Sequence, residues 1–211
     1  ELSIAGSSVH RILQRHQLHR LPANQKHRPH GKRWQRYEKP QPGHRLQMDV
    51  KFLERIPGSK RRLYQFTAID DCTRIRVLKV YDACNQRSAI RFMDDVLRRL
   101  PFRVHVVQTD NGAEFAARTK PHEHPFEAML LELGIKHRYT RPYRPQTNGK
   151  VERFNRTLLE EWAYRRLYRS NAARDRALQP WVHRYNHHRA HTALGGRPPI
   201  SRVNNLPGYY S

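Results

Sequence analysis

Acidic residues, cysteines and long apolar runs are all scarce in this chain, and each shortage excludes a class of protein. The 211 residues contain 41 Lys and Arg against 18 Asp and Glu. The two cysteines, Cys72 and Cys84, cannot build a disulfide framework or a cysteine-rich zinc site. No apolar run approaches the roughly 18 residues of a membrane-spanning helix, and the first residues lack the features of a signal peptide. We therefore expect a cytoplasmic protein whose first residue is a cut rather than a natural start.

The excess of basic residues indicates a polyanionic partner. The formal net charge is +23 and the calculated isoelectric point is about 11.0. Clustered Lys and Arg side chains bind phosphates strongly because they release condensed counterions. A ribosomal or chromatin-like packing protein would share this charge, so the charge alone leaves both a nucleic-acid enzyme and a packing protein open.

The N-terminal part differs in composition from the rest. Residues 7–19 place Val9, Ile12 and Leu13 at helical spacing after the N-cap candidates Ser7 and Ser8, which predicts a short amphipathic helix. Residues 22–43 are rich in proline and basic residues and predict a linker, either a solvated spacer or an arm along DNA. We expect residues 1–21 and 22–43 to precede the main domain.

The main domain is predicted over residues 44–170. Three strand-like runs joined by short turns begin at Leu46, Leu63 and Ile75, and a helix follows from Asn85 to Leu100. A strand at 104–107, a helix at 126–133, a strand at 135–139 and a long helix from about Gly149 to Tyr168 complete the order. This order predicts an α/β fold with a mixed five-stranded sheet flanked by helices. Residues 171–211 predict a C-terminal helical extension, with a helix over about 172–189.

Three acidic residues occupy positions that a mixed sheet brings together. Asp49 lies inside the first predicted strand, Asp110 ends the fourth, and Glu152 lies in the first turn of the long helix. Open α/β sheets place their sites over the ends of parallel strands, so these carboxylates are expected to converge. Each acid alone also suits an ordinary role, since Asp-Asn-Gly forms turns and Glu favours a helix N-terminus.

Three neighbouring carboxylates require cations, because like charges at short distance do not all ionise without compensation. Oxygen ligands of this kind favour Mg²⁺ or Mn²⁺. Two such ions would activate water or a 3′-hydroxyl and stabilise the leaving oxygen of a phosphoryl transfer. The three acids are therefore predicted both as catalytic residues and as metal ligands.

A basic segment surrounds the third acid. Two prolines keep residues 141–148 non-helical, and the polar and glycine residues there allow close approach to a phosphate chain. Ordinary solvation of a helix face is the alternative interpretation. The predicted DNA-binding residues are Arg144, Gln146, Asn148, Lys150, Arg153 and Arg156.

Two sequence blocks resemble a known family. Residues 109–115 read Thr-Asp-Asn-Gly-Ala-Glu-Phe, and residues 141–153 read Arg-Pro-Tyr-Arg-Pro-Gln-Thr-Asn-Gly-Lys-Val-Glu-Arg. With Asp49 and the segment 185–196, they resemble the integrase catalytic core of DDE transposases, and look closest to bacterial insertion-sequence family four-eighty-one. The second and third acids are 42 residues apart, more than in retroviral integrases, and we assign the extra length to a loop at 118–124. Family members carry an N-terminal helix-turn-helix region, of which residues 1–21 look like a remnant.

The resemblance implies a ribonuclease-H-like fold and a defined activity. It implies metal-dependent cleavage of DNA at element ends and transfer of the strand to target DNA, by a homo-oligomer associated with the bacterial nucleoid. Asp49, Asp110 and Glu152 would hold the metal, with Asn111 and Glu114 supporting them. A non-catalytic DNA-binding remnant of an insertion element and a ribonuclease-H-like nuclease are the two alternatives.

Other candidate side chains receive structural interpretations. The pair Asp70 and Asp71 is expected to cap a turn with Thr73 or to pair with Arg74, and Asp94 and Asp95 to balance the arginines at 98 and 99. Three histidines, His183, His187 and His191, recur at i+4 steps, which is typical of either a zinc site or a basic helix face. We favour the basic face, since no cysteine or acid accompanies them.

Overall fold

A computed structural model describes residues 5–20, 38–117, 124–140, 155 and 157–203. The chain divides into two units, residues 1–37 and residues 38–211. Helix α1, Gly6–Arg15, belongs to the first unit. It is shorter than the predicted 7–19, because Gln17 has a left-handed φ of 55°. Its N-cap residue is Ala5, which makes no side-chain capping bond, so the predicted serine caps were wrong.

The second unit is built on one five-stranded sheet. The strands are β1 Leu46–Leu53, β2 Leu63–Asp70, β3 Arg76–Tyr81, β4 Val106–Thr109 and β5 Lys136–Tyr139. Strands β1 to β3 form an antiparallel meander, and β4 and β5 join it in parallel, so the order across the sheet is β3-β2-β1-β4-β5. This confirms the predicted mixed five-stranded sheet.

Helices α2, Gln86–Arg99, and α3, Pro125–Glu132, form the parallel crossovers before β4 and β5. The side chain of Asn85 accepts a hydrogen bond from Ser88 N and so caps α2, as its residue type favours. Apolar side chains of both helices pack on one sheet face in a large core that includes Phe66, Phe92 and Phe126. Burial of these rings is the main source of stability on this face.

The opposite face of the sheet is covered by the C-terminal part of the chain. There Leu53 and Leu78 pack against Leu158, Trp162 and Tyr185 in a second core. Trp162, Tyr185 and the partly buried Trp181 seat the C-terminal helices on this face. Because Asp49 and Leu53 are four residues apart on β1, their side chains share this face.

The long helix ends earlier than predicted. Residues 157 and 158 are helical and continue into a π-helical turn, Leu159–Ala163, rather than to Tyr168. The Tyr168 hydroxyl donates to the Trp162 carbonyl at 2.9 Å, which satisfies an acceptor that the helix end would leave open. Beyond it lie α4, Asn171–Arg176, and α5, Leu178–His187. These replace the single helix predicted over 172–189, because Pro180 has no N–H to bond to Arg176.

A side-chain amide closes the outer edge of the sheet. Asn186 on α5 accepts from Arg76 N at 3.0 Å and donates to Arg76 O at 2.8 Å, as a neighbouring strand would. The described helices include none that is long and apolar enough to span a membrane.

Candidate active site

Two of the three predicted acids lie side by side on parallel strands. In the register of β1 and β4, Leu46 is opposite Val107 and Gln47 is opposite Gln108. Continued by two residues, the same register sets Asp49 level with Asp110. Parallel neighbouring strands therefore place Asp49 and Asp110 at the same level of the sheet.

Asp49 is almost fully buried, with 5% of its surface exposed. Its Oδ2 accepts a hydrogen bond from Asn155 Nδ2 at 2.7 Å and lies 3.5 Å from the ammonium of Lys51. Burial raises the pKa of Asp49, Lys51 opposes this, and the charge of Asp110 raises the pKa further. The raised pKa shows that the ionised form is costly here, and that a further cation would stabilise it.

Asp110 is held by its own turn. Its Oδ1 accepts from the backbone N–H of Gly112 at 3.1 Å, and its carbonyl accepts from the Thr109 hydroxyl at 2.8 Å. His124 fixes the following residues, since its Nε2 lies 3.1 Å from the carbonyl oxygen of Ala113. Both the side chain and the backbone of Asp110 are therefore oriented before any ligand arrives.

Glu114 folds back over this turn. A Cβ atom on Gly112 would lie 2.6 Å from a carboxylate oxygen of Glu114, so glycine is the residue that leaves room for it. The pKa of the Cys84 thiol is raised to about 12 by burial, by the charge of Glu114 and by a hydrogen bond to it, with Asp110 adding to the effect. Glu114 thus lies beside Cys84 and near Asp110, whereas Asn111 is exposed.

A buried polar chain leads from the site into the gap between β4, β5 and α3. The Thr109 hydroxyl donates to Asp110, so His137 Nε2, 2.9 Å away, donates to Thr109 Oγ1. His137 Nδ1 lies 3.5 Å from the carboxylate of Glu127, which also accepts from the Tyr139 hydroxyl at 2.6 Å. Burial lowers the pKa of His137, and the charge of Glu127 opposes that change.

The third predicted acid lies outside the described residues. Glu152 is not among them, and neither is any of the predicted DNA-binding residues Arg144, Gln146, Asn148, Lys150, Arg153 and Arg156. Within the ranges that the structure describes, no group of three or more His, Cys, Asp or Glu side chains is placed to hold a metal ion. The described part of the site is therefore the pair Asp49 and Asp110 with their supporting groups.

The competing acids have structural partners. Asp70 accepts from Thr73 N, Thr73 Oγ1, Cys72 N and Gly43 N, and Gln47 donates to Asp71 at 2.8 Å. This agrees with the predicted turn cap at Thr73.

The acids of α2 contact the predicted arginines, but only Asp94 is solvated, because Asp95 is buried. Asp94 pairs with Arg98 at 2.8 Å, and Asp95 lies within ion-pair distance of Arg98 and Arg99. Asp95 has a third cation, Lys79, at 3.4 Å.

The three periodic histidines do not meet at one point. The rings of His183 and His187 stack with centroids 4.4 Å apart, whereas His191 packs against Tyr185 at 4.7 Å. The basic helix face, rather than a zinc site, therefore describes His183 and His187.

Sequence reasoning missed Asn155 and His137. Asn155 follows Glu152 by three residues, which on a helix places both on one face, and this spacing was the available signal. No comparable signal marks His137, because its contact with Thr109 depends on the pairing of β4 with β5.

Comparison with known protein families gives two matches along the chain. Models described as "Integrase core domain" match residues 39–145 and residues 133–199. The first of these spans half of the chain and contains both Asp49 and Asp110.

Curated relatives and solved structures point the same way. The chain is 27% identical over 174 residues to the "Putative integrase ORF3" of Spiroplasma virus SpV1-C74, covering 76% of this chain and 48% of that one. It is 34% identical over 112 residues to the retrovirus-related Pol polyprotein from transposon TNT 1-94 of Nicotiana tabacum, covering 52% and 8%. The chain thus spans half or less of the curated relatives that it matches.

One solved structure illustrates the fold. The HTLV-2 integrase catalytic core domain, in its trimeric form with magnesium, matches with a TM-score of 0.59 and 18% identity, covering 76% of this chain and 96% of that one. This likeness confirms the α/β fold with its mixed five-stranded sheet and flanking helices.

Proposed function

The chain belongs to the integrase core domain family, and we propose that it is a DDE transposase or integrase that cleaves DNA and joins the cut strand to a second duplex. The observation that carries this proposal is the register of the parallel strands β1 and β4, which, continued past the end of β4, sets Asp49 level with Asp110. The burial of Asp49 and its repulsion by Asp110 are costly for folding alone, which is typical of groups arranged for chemistry.

The donor set fits a divalent metal ion. Carboxylate oxygens are the ligands that Mg²⁺ and Mn²⁺ prefer. Asp49 has a raised pKa partly because of Asp110, and a cation between them would remove that repulsion. These residues fit, and we propose that Asp49, Asp110 and Glu152 hold two such ions. When bound, the ions would neutralise charge and activate water or a 3′-hydroxyl for in-line phosphoryl transfer.

The protein groups around the acids have separate tasks. Asn155 fixes the rotamer of Asp49 through its 2.7 Å hydrogen bond, and Gly112 N–H fixes that of Asp110. Lys51 supplies positive charge beside the site, where the phosphate of a DNA strand would lie. Asn111 and Glu114 remain proposed supporting residues, and Glu114 would act through its position over Gly112.

The finer assignments remain our proposals. They are membership of bacterial insertion-sequence family four-eighty-one, contact of the basic residues 144–156 with DNA, and action in a homo-oligomer on element ends and target DNA in the bacterial nucleoid. The trimeric form of the HTLV-2 core supports the oligomer. The division into residues 1–21, 22–43, 44–170 and 171–211 also stays a prediction.

Calorimetric titration of Mn²⁺ into the DNA-bound chain tests the proposal. Nicking of a supercoiled plasmid and joining of a labelled 3′-hydroxyl oligonucleotide to it are followed in the same samples. Asp110→Asn should abolish both metal binding and nicking, while the matched surface change Asp94→Asn should alter neither. Glu152→Gln should keep DNA affinity and lose nicking.

The same samples separate the alternatives. Nicking without joining would indicate a ribonuclease-H-like nuclease instead. Tight DNA binding with no uptake of Mn²⁺ would indicate a non-catalytic remnant.

A further inference from the structure

The turn between β1 and β2 is strongly basic. Residues 54–62, which we call the basic hairpin, expose Arg55, Lys60, Arg61 and Arg62 and contain a single acid, Glu54. Among the residues that the structure describes, none of these four cations forms an ion pair. Arg62 instead lies over the exposed ring of Phe52, with its guanidinium 5.6 Å from the ring centroid. Such unpaired cations are available to an anionic partner.

Three hydrogen bonds fix the basic hairpin to a distant part of the chain. Glu54 N donates to the Tyr164 hydroxyl at 3.0 Å, and Arg174 donates to the Glu54 carbonyl at 3.0 Å. Asn171 Nδ2 donates to Ser59 Oγ at 2.9 Å. The hairpin is therefore anchored both at its base and near its tip, so the backbone that carries its cations is fixed before a ligand binds.

The anchoring segment adds further positive charge. Residues 164–171, which we call the brace segment, contain no acid and expose Arg165, Arg166 and Arg169. Arg166 packs on the ring of Tyr168, with its guanidinium 5.0 Å from the centroid. Together the basic hairpin and the brace segment carry seven cations against one carboxylate. A surface with so little negative charge suits a polyanion better than a protein surface that carries both signs of charge.

The surface lies beyond the site along β1. Strand β1 runs from Asp49 to Leu53 and into the basic hairpin, while the parallel strand β4 ends at Thr109, just before Asp110. At roughly 3.3 Å per residue, the hairpin begins at Glu54, five residues and about 17 Å along the chain from Asp49, and projects further. Because successive phosphates of one DNA strand are spaced by about 3.4 Å along the helix axis, this corresponds to about four to six base pairs.

We propose that the basic hairpin and the brace segment form a binding surface for the phosphate backbone of duplex DNA, about four to six base pairs from the phosphate held at Asp49 and Asp110. The inference rests on the proposed function, because the distance in base pairs is counted from the phosphate held at Asp49 and Asp110. It adds a surface outside residues 144–156, and it assigns positioning of the duplex rather than chemistry to these cations.

The test compares two charge-matched pairs of substitutions in the full chain. Lys60→Gln with Arg61→Gln removes two cations from the basic hairpin. Arg103→Gln with Lys136→Gln removes two exposed cations from the opposite edge, where β4 and β5 begin. Affinity for a 30-base-pair duplex is measured by fluorescence anisotropy as a function of NaCl concentration, without divalent metal ions.

The hairpin pair should reduce the slope of log affinity against log salt by about 2, since each phosphate contact contributes about 0.9. The opposite-edge pair should leave the slope unchanged. An unchanged slope for the hairpin pair, or an equal loss for both pairs, would overturn the proposal.

A second measurement tests the position. Strand joining is compared between donor duplexes with 3 and with 12 base pairs beside the reacting end, with Mn²⁺ present. The variant with Lys60→Gln and Arg61→Gln should join the long duplex about tenfold more slowly than the unmodified chain does. On the short duplex the two proteins should join strands at the same rate. Equal slowing on both would overturn the assigned distance. A reduced salt slope in a chain that never nicks DNA would support the surface while rejecting the proposed activity.

Discussion

Asn155 donates its side-chain amide to Asp49 across 106 positions of sequence, at 2.7 Å and with only 4% of Asn155 exposed. The bond ties the helix that follows Glu152 to the centre of the sheet. A buried amide in this position holds the carboxylate in one rotamer, as supporting residues of metal sites do.

Asn155→Ala should therefore lower Mn²⁺ affinity or plasmid nicking by about 10- to 100-fold. Asn186→Ala is the matched control, since it removes a buried amide that caps the β3 edge, away from the acids. It should lower stability and leave Mn²⁺ affinity unchanged. Equal effects of the two substitutions on metal affinity would show that Asn155 acts only through stability.

Asp49→Asn should raise the free energy of unfolding at pH 7.5 in the absence of metal. The pKa of Asp49 is raised above its ordinary value of 3.8 in the folded chain, first by burial. At pH values above that raised pKa, ionisation of Asp49 therefore lowers the free energy of unfolding. This loss disappears as the pH falls toward 3.8. Urea unfolding at pH 7.5 and pH 4 should show the gain only at the higher pH. A gain that is independent of pH would contradict this explanation.

Glu114→Gln should make Cys84 more reactive. Burial and the neighbouring charge of Glu114 raise the pKa of the thiol to about 12, and the amide removes the charge. Since the thiolate is the reactive form, alkylation by iodoacetamide at pH 8.5 should be several-fold faster. Peptide mass spectrometry distinguishes Cys84 from the buried Cys72. The exposed Glu132→Gln serves as control and should leave the rate unchanged.

His137→Leu should destabilise the fold by about 1–3 kcal/mol, because it leaves the buried Thr109 hydroxyl oxygen without its donor. The exposed His105→Leu should change stability by less than about 0.5 kcal/mol. Guanidinium unfolding of both variants checks the difference. Loss of plasmid nicking with unchanged stability would instead assign His137 a direct part in the reaction.

Hydrophobic pattern was sufficient for the strands and helices whose burial follows a simple period. Strand β1 and helix α2 lie where their spacing predicted. Strand β4 begins two residues later than predicted, at Val106, because Val104 is buried in the core without pairing in the sheet. An apolar run predicts that its side chains are buried. It does not predict whether the backbone hydrogen-bonds to a neighbouring strand, because that depends on a distant partner.

Among contacts between distant segments, only those that the sheet topology dictates could be predicted from the sequence. The level placement of Asp49 and Asp110 could be predicted from topology alone, because parallel strands leave few alternatives. The end of the long helix could not, since the Tyr168 hydroxyl that bonds the Trp162 carbonyl comes from a segment whose return no local pattern indicates. The same holds for His137, whose place next to Thr109 follows from strand pairing.

The amide of Asn186 bonds the first residue of the edge strand β3, Arg76, as one residue of a further strand would. An open strand edge offers unpaired N–H and C=O groups to any other chain. Removal of α5 would expose that edge together with the apolar face of Leu78 and Trp162. A chain shortened before Leu178 would therefore fail by pairing its strands with those of other copies, and self-association rather than simple unfolding would limit its yield.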